Sequence, residues 1–128
     1  MWKYEKRLQY PINIKKKDLK MAKCILTQYG GPAGELGAAI RYLNQRYTMP
    51  DDLGKALLTD IGTEELGHVE MICTMIHQLT KGATLQEYKE AGLEGIYTEH
   101  GVECSQPMLK AYHFQSMESE QQVIQLRI

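Results

Sequence analysis

One long amphipathic helix, predicted from Pro50 to Thr80, constrains this chain more than any other feature of its sequence. Asp51 and Asp52 stand at its start, where carboxylates suit the positive end of the helix dipole. Gly82 lies just past its end, where glycine commonly terminates a helix. Apolar residues recur at helical spacing along one face, at Leu57, Ile61, Ile72, Ile76 and Leu79.

The same face carries two ionisable residues near the middle of the helix. The apolar period passes through Glu65 and His68, which form a Glu-x-x-His pair. This spacing places a carboxylate oxygen and an imidazole nitrogen within reach of one metal ion. The short motif also arises by chance, as a surface acid near a hydrogen-bonded histidine. Burial favours the metal, because an unpaired carboxylate in an apolar interior costs several kcal/mol, which a divalent cation offsets.

A second helix, in two pieces, precedes the long one. Asp18 is a suitable N-cap, and the apolar spacing predicts helical segments over about 19–29 and 33–47. Gly30-Gly31-Pro32 lies between them and predicts a kink or break. Glu35 directly follows this break and is a third candidate metal ligand. An acid in the first turn also stabilises a helix dipole without any metal, so both interpretations stay open.

The rest of the chain is also predicted to be helical or extended without strands. Thr84 and Glu87 form a capping box for a short third helix over about 84–91. The first 17 residues, which contain Pro11, are expected to form an extended arm. No segment alternates apolar and polar residues for more than a few positions. We therefore predict an all-α bundle with two long antiparallel helices, the first of them kinked, and a short third helix.

Composition disfavours several classes of function. The length of 128 residues allows a single domain of ordinary size. Lys and Arg number 15 and Asp and Glu 16, so a net charge of -1 makes nucleic acids and acidic membranes poor partners. No stretch approaches the roughly 18 apolar residues of a membrane span. The three cysteines form no CxxC pair and are expected to be reduced thiols in the cytoplasm.

Several motifs in the sequence resemble one known family. They are KRLQY (6–10), GGPAGE (30–35), RYLNQ (41–45) and LTDIGTEELGHVEM (58–71). Over about residues 1–103 the chain resembles the manganese catalases, and within them the spore coat proteins of the CotJC type. The resemblance implies the N-terminal half of a ferritin-like four-helix bundle. The family holds two manganese ions and converts hydrogen peroxide to water and dioxygen.

The resemblance also implies roles for individual residues. Glu35 would be a terminal carboxylate on the first manganese, His68 its imidazole ligand and Glu65 the carboxylate that bridges both ions. Tyr42 falls near the site in the family, although a core aromatic residue would suit its position equally well. Asp60 is expected either to flank the motif as a polar residue or to support a ligand. Iron would suit the same carboxylate and imidazole ligands.

The chain departs from the family pattern after Gly101. Ferritin-like dinuclear sites take a glutamate from each of two helices and a Glu-x-x-His motif from each of the other two. No second Glu-x-x-His motif follows Gly101, so half of this ligand set is missing. We divide the chain into a manganese-catalase-like half, 1–103, and a divergent tail, 104–128. A reading-frame shift near Cys104–Pro107 would explain the tail, because the shifted codons can spell a sequence similar to the family's link between its helix pairs.

The predicted function is that of a manganese-catalase-like protein whose peroxide chemistry is impaired by the missing ligands. Its expected location is the cytoplasm or the spore coat. The alternative is a non-catalytic coat protein that packs onto coat partners through apolar stripes otherwise left in water. A homo-oligomer is a third arrangement, because two copies about a two-fold axis would restore the full ligand count.

Overall fold

A computed structural model describes residue 5 and residues 7–101, and it confirms the predicted all-α class. The helices are α1 (Leu19–Leu26), α2 (Glu35–Gln45), α3 (Asp52–Thr80), α4 (Leu85–Glu90) and α5 (Tyr97–His100). Short 3-10 turns follow α2 and precede α5, and no strand occurs in the part of the chain that the structure describes. The predicted tail, 104–128, lies outside the described residues, so the division at residue 103 stays a prediction. None of the described helices is long and apolar enough to cross a membrane.

Helix α3 is the central element, with 29 residues between two well-defined ends. The side chain of Asp51 caps its start, where Oδ1 accepts a hydrogen bond from the Gly54 N–H at 2.7 Å. After Thr80 the chain turns at Gly82, which has a φ of 72°, a left-handed conformation that favours glycine. The predicted helix and both of its end signals are therefore confirmed.

Helices α1 and α2 run antiparallel to α3. The Asp18 N–H donates to the Leu79 carbonyl at 2.8 Å, and the Arg46 guanidinium donates to the Thr59 hydroxyl at 3.4 Å. Residue numbers thus rise along α1 and α2 while the numbers of their partners on α3 fall. The two shorter helices together form the antiparallel partner of α3 that the sequence predicts.

A compact loop, residues 27–34, breaks the first helix more completely than a kink would. The predicted pieces, about 19–29 and 33–47, overestimate both helices at the break, because the loop forms its own hydrogen bonds. The Glu35 N–H donates back to the Gln28 carbonyl at 2.9 Å. A Cβ atom at Gly34 would lie 2.9 Å from the Gly30 nitrogen, so only glycine fits where the chain folds over itself.

The buried core lies at the end of α3 that packs against α1 and α4. Its buried residues are Ala22, Leu79, Ala83, Tyr88 and Leu93. The described residues before α1 form neither helix nor strand, and part of this N-terminal arm is held against α3. There the Gln78 side chain accepts from the Ile14 N–H at 2.6 Å and donates to the Ile12 carbonyl at 3.0 Å.

The other end of α3 leaves large apolar side chains exposed. Leu57 was predicted to be buried with the rest of the α3 stripe, but 56% of it is exposed, because nothing in the described chain packs over it. Ile40 on α2 is 55% exposed. The periodicity therefore identifies the correct stripe but overestimates how much of it one copy of the described chain can cover.

Helix α4 begins with the predicted capping box. The Thr84 N–H donates to Oε2 of Glu87 at 2.7 Å, and the Glu87 N–H donates to Oγ1 of Thr84 at 3.3 Å. The other Glu87 oxygen lies 2.5 Å from Nζ of Lys17, which ties the N-terminal arm to α4. The hydrogen bond from Lys17, followed by that from the Thr84 backbone, lowers the pKa of Glu87 from 4.5 to about 2.

We expect this carboxylate to stabilise the fold in a pH-dependent way. Since the folded pKa is lowered, the stabilisation is fully present above pH 4.5 and is lost as the pH falls toward 2. The variant Glu87→Gln should therefore be less stable than the wild type at pH 7, and the difference should shrink through this window. Urea denaturation of both proteins at several pH values measures this difference in the free energy of unfolding. Glu90→Gln, which removes the same charge from α4, is the control and should not reproduce the pH dependence.

We also expect the contact between α2 and α3 to require glycine at position 62. A Cβ atom there would lie 2.8 Å from Cγ of Leu43, and overpacking of this kind costs about 1–3 kcal/mol. The higher helix propensity of alanine offsets at most about 1 kcal/mol of this cost. Gly62→Ala should therefore lower the free energy of unfolding, by up to about 2 kcal/mol, in urea denaturation.

The matched control is Gly67→Ala on the same helix. Its Cβ atom would meet only the side-chain oxygen of Gln9, at 3.1 Å, and the flexible end of that side chain can move aside. This variant should be as stable as the wild type or slightly more stable. Equal losses in both variants would contradict the proposed role of the Leu43 contact.

Candidate metal centre

Three side chains that can bind a metal converge between α2 and α3. Glu35, Glu65 and His68 each offer one ligand atom, and these atoms all lie within 4.8 Å of one another. This is the one group of three or more such residues found among the side chains that the structure describes. The structure thus brings together the three residues that the sequence singles out, and their binding of a metal stays a prediction.

The glycine-rich loop positions Glu35. Glu35 is the first residue of α2, with Gly34 as its N-cap. The hydrogen bond from the Glu35 N–H to Gln28 fixes the backbone of this residue against the loop. Arg41, further along α2, donates to the carbonyl of Pro32 and closes the loop onto the helix. These hydrogen bonds therefore fix the backbone position from which the Glu35 side chain extends.

A close approach of the two helices positions Glu65. Gly62 is the fully packed glycine at which α3 meets Leu43 of α2, and Ala39 on the same side of α2 is only 1% exposed. Glu65 lies three residues after Gly62, which is almost one helical turn. The small residues at this contact let a carboxylate on α3 reach one on α2.

The histidine faces both carboxylates through the same ring nitrogen. Nδ1 of His68 lies 2.6 Å from Oε2 of Glu65 and 3.8 Å from Oε2 of Glu35. The side chains of Glu65, Glu35 and His68 are 14%, 30% and 34% exposed, respectively. The cluster is therefore partly sheltered by the helices and still open to solvent on one side.

The two carboxyl groups affect each other's ionisation. The hydrogen bond with Glu65, together with burial and the Glu65 charge, raises the pKa of Glu35 above 4.5. Burial alone would raise the pKa of Glu65 as well, but the hydrogen bonds from Glu35 and His68 outweigh it and lower that pKa. The proximity of the two carboxyl groups therefore shifts their pKa values in opposite directions.

This arrangement has the chemistry of a metal site. Two carboxylate oxygens and one imidazole nitrogen suit manganese or iron among the first-row metals, and three protein ligands leave coordination positions open. A divalent cation at the centre would be held by both carboxylates in their ionised form, since metal binding requires deprotonated ligands. The residues present thus fit a divalent metal ion.

Two further residues named from the sequence lie on the same two helices as the cluster. Tyr42 is half-buried and lies seven residues after Glu35, so both residues occupy the same side of α2 about two turns apart. Asp60 is exposed and lies about 140° around α3 from Glu65. The structure does not place Asp60 with the three clustered residues, and a supporting role for either residue stays a prediction.

The residues that position these ligands were not predicted from the sequence. The Gln28 carbonyl and the contact between Gly62 and Leu43 decide where Glu35 and Glu65 point. Gly62 lies within the longest of the motifs, but a glycine inside a helix only signals a close approach in general terms. The partner of that approach is visible only in the folded chain.

Comparisons with known proteins agree with the resemblance seen in the sequence. Residues 1–114 match the profile of a family described as "Manganese containing catalase". Protein CotJC of Bacillus subtilis (strain 168) is 56% identical over 100 residues, which cover 78% of this chain and 52% of CotJC. A manganese catalase of Bacillus subtilis is 42% identical over 97 residues, which cover 75% of this chain and 36% of that protein.

A solved structure shows the same relationship. The crystal structure of wild-type KatB, a manganese catalase from Anabaena, superposes with a TM-score of 0.65 at 33% sequence identity. The match covers 70% of this chain and 42% of KatB. The chain thus spans about half the length of CotJC and well under half the length of the catalases it matches.

We expect the raised pKa of Glu35 to depend on its neighbour. In Glu65→Gln the negative charge is gone and the amide can donate to the Glu35 carboxylate, so the pKa of Glu35 should fall toward its ordinary value. Carboxyl carbon chemical shifts followed by NMR over a pH titration of the metal-free protein measure this change. The control Glu64→Gln alters an exposed neighbour and should leave the Glu35 titration unchanged. An identical Glu35 titration in both variants would contradict the coupling.

Proposed function

Because this chain belongs to the manganese-containing catalase family, we propose that Glu35, Glu65 and His68 bind manganese and serve hydrogen peroxide disproportionation. The observation that carries the proposal is the convergence of three ligand atoms within 4.8 Å on the sheltered side of a helix pair. Family membership alone would leave the site unspecified in a chain that spans about half of CotJC. The clustered side chains give the proposal specific residues.

Each of the three residues has a distinct part in the proposal. Glu35 serves as a terminal carboxylate and His68 as an imidazole ligand of the same ion. Glu65 is the least exposed of the three, which suits a carboxylate shared between two ions. When bound, a manganese pair supplies redox cycling between divalent and trivalent states, by which two peroxide molecules become two waters and dioxygen.

The protein residues supply charge and access. The paired carboxylates provide two negative charges where a cation is needed, and their attachment to two packed helices keeps them there when the cation leaves. The partial exposure of Glu35 and His68 leaves a path for a small, uncharged molecule such as hydrogen peroxide. With half of the ferritin-like ligand set in this chain, one copy alone is expected to have weak activity.

A second candidate function is structural assembly in the spore coat. The identity to CotJC is 56%, against 42% to the manganese catalase of Bacillus subtilis. Exposed apolar side chains such as Ile40 and Tyr47, which is 72% exposed, would serve contacts with coat proteins. In this role the chain would lie in the coat, and peroxide chemistry would be secondary or absent.

Metal analysis of ligand variants tests the proposed site. Glu35→Gln, Glu65→Gln and His68→Ala should each lower the affinity for manganese by about a hundredfold or more, because each removes a direct ligand. Elemental analysis after equilibrium dialysis against manganese measures the bound metal. His77→Ala, an exposed histidine on the same helix, is the matched control and should bind as the wild type does.

Oxygen evolution from peroxide separates the two functions. Manganese-loaded wild type should exceed the free-metal background, and the three ligand variants should fall to that background. Retained manganese in all three variants would contradict the proposed site. Bound manganese without oxygen evolution would contradict the catalytic proposal and favour the structural one.

A further inference from the structure

We propose that Arg41 is a positioning residue of the metal site, because its guanidinium holds the glycine-rich loop in the conformation that presents Glu35 to α3. This inference rests on the proposed function, since Glu35 is one of the three ligands named there. It adds a residue outside the ligand set that sets the affinity for manganese.

The hydrogen bond between Arg41 and the loop is the first argument. Nη1 of Arg41 donates to the Pro32 carbonyl, and the charge on this donor strengthens the bond. Arg41 forms no ion pair with any side chain that the structure describes. In the same part of the chain, the Pro32 carbonyl has no other donor. This side of the loop is therefore held to α2 through Arg41.

A glycine on α2 lets the guanidinium reach the loop. Gly37 lies four residues before Arg41, on the same face of α2. A Cβ atom at Gly37 would lie 2.9 Å from the carbonyl oxygen of Gly31 in the loop. It would also lie 3.5 Å from both atoms of the Arg41 hydrogen bond. The loop therefore lies directly on the backbone of α2, with the guanidinium beside this contact.

The beginning of the loop is tied to α3 instead. The Cys73 thiol on α3 donates to the Tyr29 hydroxyl at 3.2 Å. Next to Tyr29, the Gln28 carbonyl accepts from the Glu35 N–H at 2.9 Å. The loop contains three glycines, which allow many backbone conformations. Loss of the attachment through Arg41 should therefore loosen the hydrogen bond that fixes Glu35.

Arg41 acts from outside the ligand cluster. It is exposed and lies six residues after Glu35, which places it about 120° around α2 from that ligand. A positive charge on this helix would by itself disfavour a nearby cation. A mere surface charge and a positioning residue therefore predict opposite effects on manganese binding when Arg41 is replaced.

The manganese affinity of the full chain distinguishes these two effects. Arg41→Met keeps a long side chain but removes its charge and its donors, and it should lower the affinity about tenfold. Arg41→Lys retains one charged donor for a single carbonyl and should bind within about threefold of the wild type. Lys55→Met removes an exposed positive charge from α3, and this control should not lower the affinity. Elemental analysis after equilibrium dialysis measures the bound metal.

Amide hydrogen exchange of the metal-free protein provides a readout that a general loss of stability would not reproduce. Arg41→Met should speed the exchange of the Glu35 N–H at least about tenfold, because its hydrogen bond to Gln28 opens locally. The N–H of Ile76, a fully buried residue of α3, should exchange as in the wild type. Equal acceleration at both amides would indicate general destabilisation and overturn the positioning role.

The two measurements separate this inference from the proposed function. A wild type that binds manganese, with an Arg41→Met variant that binds it equally or more tightly, would overturn this inference and leave the proposed function intact. A wild type that binds no manganese would overturn the proposed function and the role of Arg41 with it.

Discussion

The close contact between α2 and α3 at Gly62 is the constraint on which the site depends. Leu43 occupies the space that a side chain at position 62 would need, so the helix axes approach closely just before Glu65. Carboxyl groups on the two helices can then meet, and a histidine one turn further along α3 reaches both. A larger separation would leave the same residues as independent, solvated acids.

The loop between α1 and α2 positions the other carboxylate of the site, Glu35. It ends the first helix at Leu26 and restarts it at Glu35, so a ligand occupies the first turn of the second piece. In a continuous helix through this region, residue 35 would not be the first residue of a helix, and the hydrogen bond from its N–H to the Gln28 carbonyl of the loop would not form. The hydrogen bond to Gln28 and the packing of Gly34 keep the loop compact. The cluster therefore depends on one backbone break and one close helix contact.

The cluster combines two acidic side chains with one histidine. The two acids lie side by side, and the hydrogen bond with Glu65 raises the pKa of Glu35. About two turns before Glu65 on α3, the side chain of Leu57 is 56% exposed. The family relationship and the half-length match are consistent with a bundle of which this chain provides one helix pair.

Much of this molecule follows from its sequence, because local signals act over a few residues. Asp51, Asp18 and the pair Thr84/Glu87 define helix starts through hydrogen bonds to nearby backbone groups, and glycines mark the turns that follow. The Glu-x-x-His spacing puts Glu65 and His68 on one face of α3 whatever surrounds them. The motifs also identify the family, and through it the role expected of Glu35.

Only the tertiary structure decided which stripe residues are covered and which ligand atoms meet. Leu57 and Ile72 share one periodic pattern, yet Leu57 is exposed and Ile72 is buried, because burial depends on what packs against each end of α3. The distance from Glu35 to His68 spans a loop and two helices, and it is set by the packing of Leu43 on Gly62. The periodicity of apolar residues identifies one face of each helix. Contacts between helices that are distant in sequence determine how those faces pack together.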